Sequence, residues 1–411
     1  MPANRILINR LDMINYKKFI KAAVSFEPSI TVISGKNGAG KSTILSGVRL
    51  ILSWIIARMR NESGVGYYIS PSDINNATRS GCVVGSMLDG EVFIPSKAKA
   101  GLSKDFALDL GPVKPFVSAV RNELAENAST CCVPVFAYYG VKRTVLDIPL
   151  RTRSRDFTLF DTYDKSLDGA ANFRGFFTWF RACEDWENQQ IVRTNRPVQH
   201  PGLQAFRRAI EQFMPGYSGF MIERHPLAMM LRKNGEPLNA EQLSDGEKIY
   251  LALVGDLCHR LSLANPVGDP LLGGGIVLID EVDLHLHPQW QREIANALTR
   301  TFPNIQFIIS THSPHVINSV PTTSLRLIDA DGSITSAPYG YGMPSNVVLG
   351  DLMSLSRDVP EEVYTAIRQF NVAYLQGNIN DASNQLTILQ ESVPDHPELP
   401  RMRMRLERMR R

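Results

Sequence analysis

The chain has 411 residues, 44% of them hydrophobic and 21% charged, which excludes both a disordered polymer and a minidomain without a core of its own. Lysine and arginine total 44 against 41 acidic residues, and a formal charge of +3 excludes polyanion binding by global charge; any nucleic-acid contact needs a local patch. The five cysteines (Cys82, Cys131, Cys132, Cys183, Cys258) are odd in number and form no C-x-x-C, which argues against a disulfide framework or a zinc ribbon.

Ile6 to Leu11 reads as a short strand within a charged amino terminus that lacks the apolar stretch of a secretory signal, so a cytoplasmic protein is expected. Ser29 to Ser34 (SITVIS) is a short apolar run bounded by polar residues, the pattern of a buried strand. Ser42 to Met59 follows with Ile44, Leu45, Val48, Leu52 and Ile55 at helical spacing. Its most apolar stretch, Leu50 to Ala57, falls short of the roughly 20 residues of a bilayer span, so a buried helix and no membrane partner are expected. From 61 to 130 the texture turns to Gly, Ser and Asp, with a hairpin signal at Asp89-Gly90, and predicts an inserted antiparallel β lobe. Val133 to Tyr139 reads as a core strand, and Phe173 to Asn188 and Gly202 to Phe213 as helices of a mainly helical 144–240 region. Between Ser244 and Pro314 helices alternate with IVLID and IQFIIS, the order of an α/β sheet. Beyond Tyr341 the spacing predicts a helical hairpin, Glu361 to Leu375 and Asp381 to Gln390, turning at Gly377-Asn378. The division expected is a head over 1–340 and a helical partner-binding module over 341–411.

Three of these junctions carry chemistry. Gly35-Lys36-Asn37-Gly38-Ala39-Gly40-Lys41-Ser42, followed by Thr43, fits G-x-x-x-x-G-K-[ST] and lies between a buried strand and a helix. Glycines let backbone amides curl around phosphates, Lys41 supplies charge at the β- and γ-phosphates, and Ser42 is a Mg²⁺ ligand, so ATP and Mg²⁺ are the expected cofactors. IVLIDE delivers Asp280 and Glu281 at a strand end, where Asp280 would hold Mg²⁺ and Glu281 would orient or deprotonate the attacking water. IQFIISTH delivers His312, an imidazole able to hydrogen-bond a γ-phosphate. A fourth segment, Leu243-Ser244-Asp245-Gly246-Glu247-Lys248, opens a long helix; Ser244 and Glu247 could be a simple capping box.

Taken with the other motifs, that fourth segment resembles the ABC-type signature loop, Leu-Ser-Gly-Gly-Gln, with Asp245 and Glu247 as departures. The resemblance implies an α/β fold with an ABC-type P-loop head and RecA-like core sheet, and Ser244, Asp245, Gly246 and Glu247 acting in trans on the ATP of another subunit, hence at least a dimer. LSDGEKIYLALVGDLCHRLSLANP, IVLIDEVDLHLHPQWQREI and FPNIQFIISTHSPHVI are similar to bacterial ATPases that include OLD nucleases, RecF and PtuA. AYYGVKR, FFTWFRACEDWENQQ and GMPSNVVLGDLMSLSRDVPEEV look most like PtuA-type ATPases, including retron-linked ones. That family implies an anti-phage role in which the ATPase oligomer regulates a separate HNH nuclease. A RecF-type DNA clamp is the alternative, and an OLD-type ATPase-nuclease a further one.

The departures also set expectations. The place of a transporter D-loop Asp is near His287, with Asp283 close by, and the strand before a glutamine lid ends in Tyr138-Tyr139-Gly140. Tyr16 and Phe19 are placed to touch the adenine, or to pack in the core. Asp329-Ala330-Asp331 matches a Toprim element by letter but reads as a hairpin turn, and His285-x-His287 lacks further metal ligands, so no nuclease centre is expected. Lys142, Arg143, Arg151, Arg153 and Arg155 form a basic run for DNA, retron nucleic acid or an acidic partner surface. The tail RMRMRLERMRR reads as a solvated helix, a partner-docking helix or a nucleic-acid arm, and Met402, Met404 and Met409 favour docking.

Overall fold

The computed structural model describes residues 6–78, 80–88, 90–96, 107–141, 156–329, 331–338, 340–343, 345, 348 and 361–410. From the amino terminus, β1 (Ile8–Tyr16) and β2 (Phe19–Ser25) precede β3 (Ile30–Gly35) and α1 (Lys41–Arg60). Then come β4 (Cys82–Met87), β5 (Gly90–Pro95), α2 (Lys114–Glu126), β6 (Val135–Tyr139), α3 (Phe173–Thr194) and α4 (Pro201–Phe213). β7 (Tyr217–Arg224), β8 (Leu227–Lys233) and β9 (Glu236–Asn239) lead into α5 (Asp245–Ala264). β10 (Gly275–Ile279), α6 (Pro288–Thr301), β11 (Ile305–Thr311), α7 (Pro314–Ile317), β12 (Leu325–Ile328) and β13 (Ile334–Ser336) complete the first of two compact units, Met1–Met343. The second, Pro344–Arg411, holds α8 (Glu361–Gln376), α9 (Ile379–Ser392) and α10 (Leu399–Arg410).

The core of the first unit is a six-stranded sheet of order β13-β12-β3-β11-β10-β6, parallel from β12 to β6 and antiparallel only at β13. Every residue of β3, β10 and β11 is buried, as strands covered on both faces require. α1 lies between this sheet and a second, antiparallel one of order β2-β1-β4-β5: Gly47 abuts Leu11, and a Cβ on Gly85 would lie 2.4 Å from Ile51. Two sheets explain why α1 buries Ile51, Trp54 and Ile56 besides the face formed by Ile44, Leu45, Val48, Leu52 and Ile55. The helix has the length and hydropathy of a membrane span, but its apolar surface is spent on the interior. α5 packs along β6 and α6 along β11, with α4 against both helices.

The α/β head, with a glycine loop between a buried strand and a helix, agrees with the sequence reading, and three features differ in detail. β1 continues past Leu11 to Tyr16, because Met13 and Tyr16 extend its buried face. The strands of the expected inserted lobe are no separate body: β4 pairs with β1, Ile14 opposite Cys82, so they form the outer half of the amino-terminal sheet, and α2 follows them. In the region read as mainly helical, Tyr217–Asn239 is a three-stranded antiparallel sheet, β7-β8-β9. Its second turn places Asn234 (φ 51°) and Gly235 (φ 89°) between the paired Lys233 and Glu236, the left-handed pair a tight hairpin demands.

In the second unit α8 and α9 pack together across a turn where Gly377 takes φ 71° and the Asn378 side chain caps α9 through the Asp381 amide. Val363, Ala366, Phe370 and Ala373 recur every three or four residues on α8 and pack with Ala382, Leu389, Leu399, Met402 and Leu406. Met402 is therefore core and Met409 packs against that core, which leaves Met404, half exposed, as the one methionine of the three turned outward.

Candidate functional site

β3 runs buried to Gly35, where the chain turns through Lys36, Asn37 and Gly38, all exposed, past buried Ala39 to Gly40. Gly38 (φ 74°) and Gly40 (φ 117°) are left-handed, and a Cβ on Gly40 would sit 2.5 Å from the Phe19 ring. Gly40 starts α1 with no side chain capping it; Thr43 N bonds back to Gly40 O (3.0 Å), and an uncapped helix start beside a glycine loop is the arrangement that receives an anion. The Lys41 ammonium is buried and donates to Gly35 O (2.9 Å), Lys36 O (3.3 Å) and His312 Nε2 (2.5 Å). Beneath the loop, Lys18 Nζ donates to Gly38 O (3.2 Å), and Tyr16 Oη lies 2.7 Å from Ser46 Oγ on α1. Tyr16 and Phe19 are 1% and 3% exposed, so the adenine contact read for them is not available in this geometry; both rings underpin the loop and helix.

Asp280 leaves the end of β10 with its amide on Tyr139 O (2.7 Å) and Oδ1 accepting from Ser310 Oγ (2.5 Å). The same hydroxyl accepts from the Glu281 amide (2.8 Å), so one serine of β11 holds both acidic residues. Glu281 itself has φ 48°, a left-handed backbone that a residue with a Cβ adopts at a cost of order 1 kcal/mol. Asp283 turns back onto its own chain and accepts from Thr311 Oγ1 (2.5 Å) and the His312 amide (3.3 Å), which ties the exits of β10 and β11 together.

Burial lowers the pKa of Lys41, opposed by the charges of Glu281, Asp280 and Asp283 around it. Burial, then the Lys41 charge, also lowers His312, so with the ammonium donating to Nε2 the imidazole is neutral and carries its proton on Nδ1. Exposed Ser42 and the carboxylate of Asp280 are hard oxygen donors of the kind Mg²⁺ takes together with nucleotide phosphates, so the donor set fits that ion. Thr43, half-buried, continues the first turn. Ser310 is the residue that sequence reasoning missed; its signal was a hydroxyl directly after the apolar run Phe307–Ile309 in a buried strand.

The signature-like segment lies elsewhere on the head. Ser244 caps α5 in a full capping box: the Ser244 side chain accepts from the amide of Glu247, whose Oε2 accepts from the Ser244 amide (2.7 Å). Ser244 and Asp245 are exposed, whereas Gly246 and Glu247 are buried. A Cβ on Gly246 would stand 2.6 Å from His285 O, so only glycine allows α5 to start against the loop that follows the two acids. Glu247 Oε1 accepts from Lys233 Nζ (2.7 Å) and from the Tyr217 hydroxyl. Burial would raise this carboxyl, but those bonds and the one from Ser244 outweigh it and hold the group at about 2.

α5 runs antiparallel to β6, since Val133 N donates to Ala264 O (2.9 Å) at one end and the Tyr139 hydroxyl donates to Asp256 Oδ2 (2.9 Å) at the other. From Asp256 back to Asp245 the helix rises about 16 Å beyond the carboxyl edge of β6, and β6 lies three strands, roughly 14 Å, from β3. Ser244 thus stands past the carboxyl end of β6, three strands away from the β3 end that carries the glycine loop of its own chain.

His287 caps α6, its Nδ1 accepting from the Gln289 amide (3.3 Å). Asp331 Oδ1 accepts from the Ser333 amide (2.9 Å) inside the β12–β13 turn, with Asp329 pairing through its backbone amide to Ser333 O. Among the described residues no group of three or more His, Cys, Asp or Glu is arranged to hold a metal ion. Lys142, Arg143, Arg151, Arg153 and Arg155 lie outside the described residues.

Two family profiles match the head: "AAA domain, putative AbiEii toxin, Type IV TA system" over residues 137–318, and "AAA domain" over residues 10–94. The "Retron Ec83 probable ATPase" of Escherichia coli is 27% identical over 99% of this chain and 88% of its own length. The "Retron Vc95 probable ATPase" of Vibrio cholerae serotype O1 biovar El Tor is 29% identical over 91% of this chain and 84% of its own. The "Septu protein PtuA" of Bacillus thuringiensis is 36% identical over 33% of this chain and 37% of its own.

Proposed function

We infer that this P-loop ATPase, similar to retron and Septu ATPases, is a cytoplasmic component of an anti-phage defence complex that closes on ATP between two copies of itself and so regulates a separate HNH nuclease. What supports the closure is that Ser244 is an exposed, capped helix start at the far side of the sheet from the glycine loop, β6 being three strands from β3, and such a helix start is suited to a nucleotide held by another copy. In this reading Lys41 gives up its bonds to Gly35 O, Lys36 O and His312 Nε2 for the β- and γ-phosphate oxygens. Ser42 and Asp280 would hold Mg²⁺, which when bound would supply charge neutralisation at those oxygens. Glu281 orients the attacking water for in-line displacement, and His312 is freed to hydrogen-bond the γ-phosphate.

The test is native mass determination and co-purification from the gene's own operon, in wild type and in Glu281→Gln, with and without ATP. The expected result is an ATP-dependent assembly of at least two copies, more persistent in the variant, with a nuclease subunit in fixed ratio. A species that stays a monomer with ATP would overturn the closure, and a lone assembly that retains DNA would replace the nuclease-regulating role by a DNA clamp.

A further inference from the structure

The ATP-sandwich reading leaves open what holds the signature turn in shape. Where the ABC-type signature ends in glutamine, this chain has Glu247, and an acid buried at the first turn of a helix needs a partner for its charge. The partner comes from outside α5. Tyr217 and Lys233 are directly opposite one another on β7 and β8, and both donate to Glu247 Oε1. The other oxygen, Oε2, accepts the amide of Ser244. One carboxylate thus links the β7-β8-β9 sheet to the residue that would face the nucleotide.

The chain order enforces this linkage. Lys233 is the last residue of β8, immediately before the left-handed Asn234-Gly235 turn, and β9 then returns in register with β8 so that Asn239 leads through one short turn to Ser244. The sheet is therefore both the covalent approach to the signature turn and its side-chain clamp. On the opposite side, Gly246 rests on His285 O, so the turn is gripped between the hairpin and the loop that carries Glu281.

We propose that Lys233, with Tyr217, is a positioning residue for ATP hydrolysis: through Glu247 it fixes the Ser244 turn in the geometry that completes the site of the opposing copy. The proposal rests on the in-trans reading of Ser244. Lys233 touches no nucleotide of its own protomer, so its loss is expected to lower turnover and leave that protomer's nucleotide affinity unchanged. A 1 Å displacement of a positioning group lowers rate by up to about 100-fold, so Lys233→Met should reduce kcat roughly 10- to 100-fold.

The experiment compares full-length Lys233→Met, Lys233→Arg, the double variant Lys233→Met with Glu247→Gln, and Ser244→Arg as the benchmark for a disabled signature. Phosphate release gives kcat, and a fluorescent ATP analogue gives affinity at the glycine loop. Each slow variant is also mixed with Lys41→Ala, since a mixed dimer carries one site with both an intact loop and an intact signature turn. The expected result is low kcat with unchanged analogue affinity for Lys233→Met, partial recovery in Lys233→Arg, and recovery in the double variant, where the buried charge is removed together with its partner. Mixing with Lys41→Ala should restore activity that neither protein has alone. If Lys233→Met turns over like wild type while Ser244→Arg is inactive, the clamp is wrong and the in-trans reading stands. If Ser244→Arg is itself fully active, the in-trans reading falls. A Lys233→Met protein that neither the second substitution nor mixing restores has lost its fold, which overturns a positioning role.

Discussion

Ser310 makes the chemistry of the acidic pair depend on a hydroxyl group. Its Oγ donates to Asp280 and accepts from the Glu281 amide, so Ser310→Ala leaves a buried carboxylate oxygen and a left-handed backbone without their shared support. A lost bond of this kind costs about 1 to 2 kcal/mol, and steady-state phosphate release should show kcat lowered about 10-fold. Glu281→Gln keeps the loop and its amides, so titration with a fluorescent ATP analogue should give wild-type affinity while turnover falls about 100-fold or more. Glu247 predicts an acid response. Its carboxyl sits at about 2, below its ordinary 4.5, so on acidification the unfolded chain binds that proton first. The stabilisation is whole above about pH 4.5 and is lost as pH falls towards about 2; urea midpoints should drop more steeply across that window in wild type than in Glu247→Gln. Lys41, Asp280, Glu281 and His312 were legible in the sequence because strand ends and a glycine loop fix where such residues emerge. Tyr16 and Phe19 were not, since an aromatic residue at the strand end beside a turn does not reveal whether it lies over or under the neighbouring loop.

Among the elements, α5 is held by an ion pair that no motif announced. Asp256 and Arg260, 0% and 1% exposed, pair at 2.9 Å one helical turn apart, and Asp256 also accepts from Tyr139 at the end of β6. Arg260 donates further to Thr162 O and Asp164 O, so the helix that begins at the Ser244 turn is fastened to the strand whose Tyr139 O receives the Asp280 amide. Asp256→Asn leaves the guanidinium buried without its counter-charge and should destabilise by about 3 kcal/mol or more, read as a lower Tm and urea midpoint. Replacing both, Asp256→Leu with Arg260→Met, should recover much of that loss. In the sequence these two residues look like an ordinary surface pair at i and i+4, because burial comes from α5 being enclosed all round. The β7-β8-β9 sheet had a readable signal, Asn234-Gly235 shortly after the apolar run Leu227–Leu231, which the neighbouring helical periodicity outweighed. The helices after Tyr341 were legible because Gly377-Asn378 is an unambiguous break between two regular patterns.

For the molecule as a whole, every residue read as nucleotide-binding or signature-like falls within Met1–Met343. A chain ending at Met343 should therefore bind a fluorescent ATP analogue with the affinity of the full protein, which equilibrium titration checks, whereas capture of a partner subunit tests the second unit. Element types were readable along the chain, but the order β13-β12-β3-β11-β10-β6 was not, because parallel strands are joined by packing between distant segments. That order has a consequence in time. β3, which carries the glycine loop, has β11 and β12 as its only neighbours among the described strands, and Gln306 on β11 bonds back to the Ile8 amide and carbonyl. A ribosome making about 5 to 20 residues per second needs roughly 15 to 55 s to cover the about 280 residues that separate β3 from β11. Until then β3 has neither of its neighbours in the core sheet, so the glycine loop is expected to hold nucleotide only after β11 has been made, which binding of an ATP analogue to ribosome-stalled chains of increasing length checks.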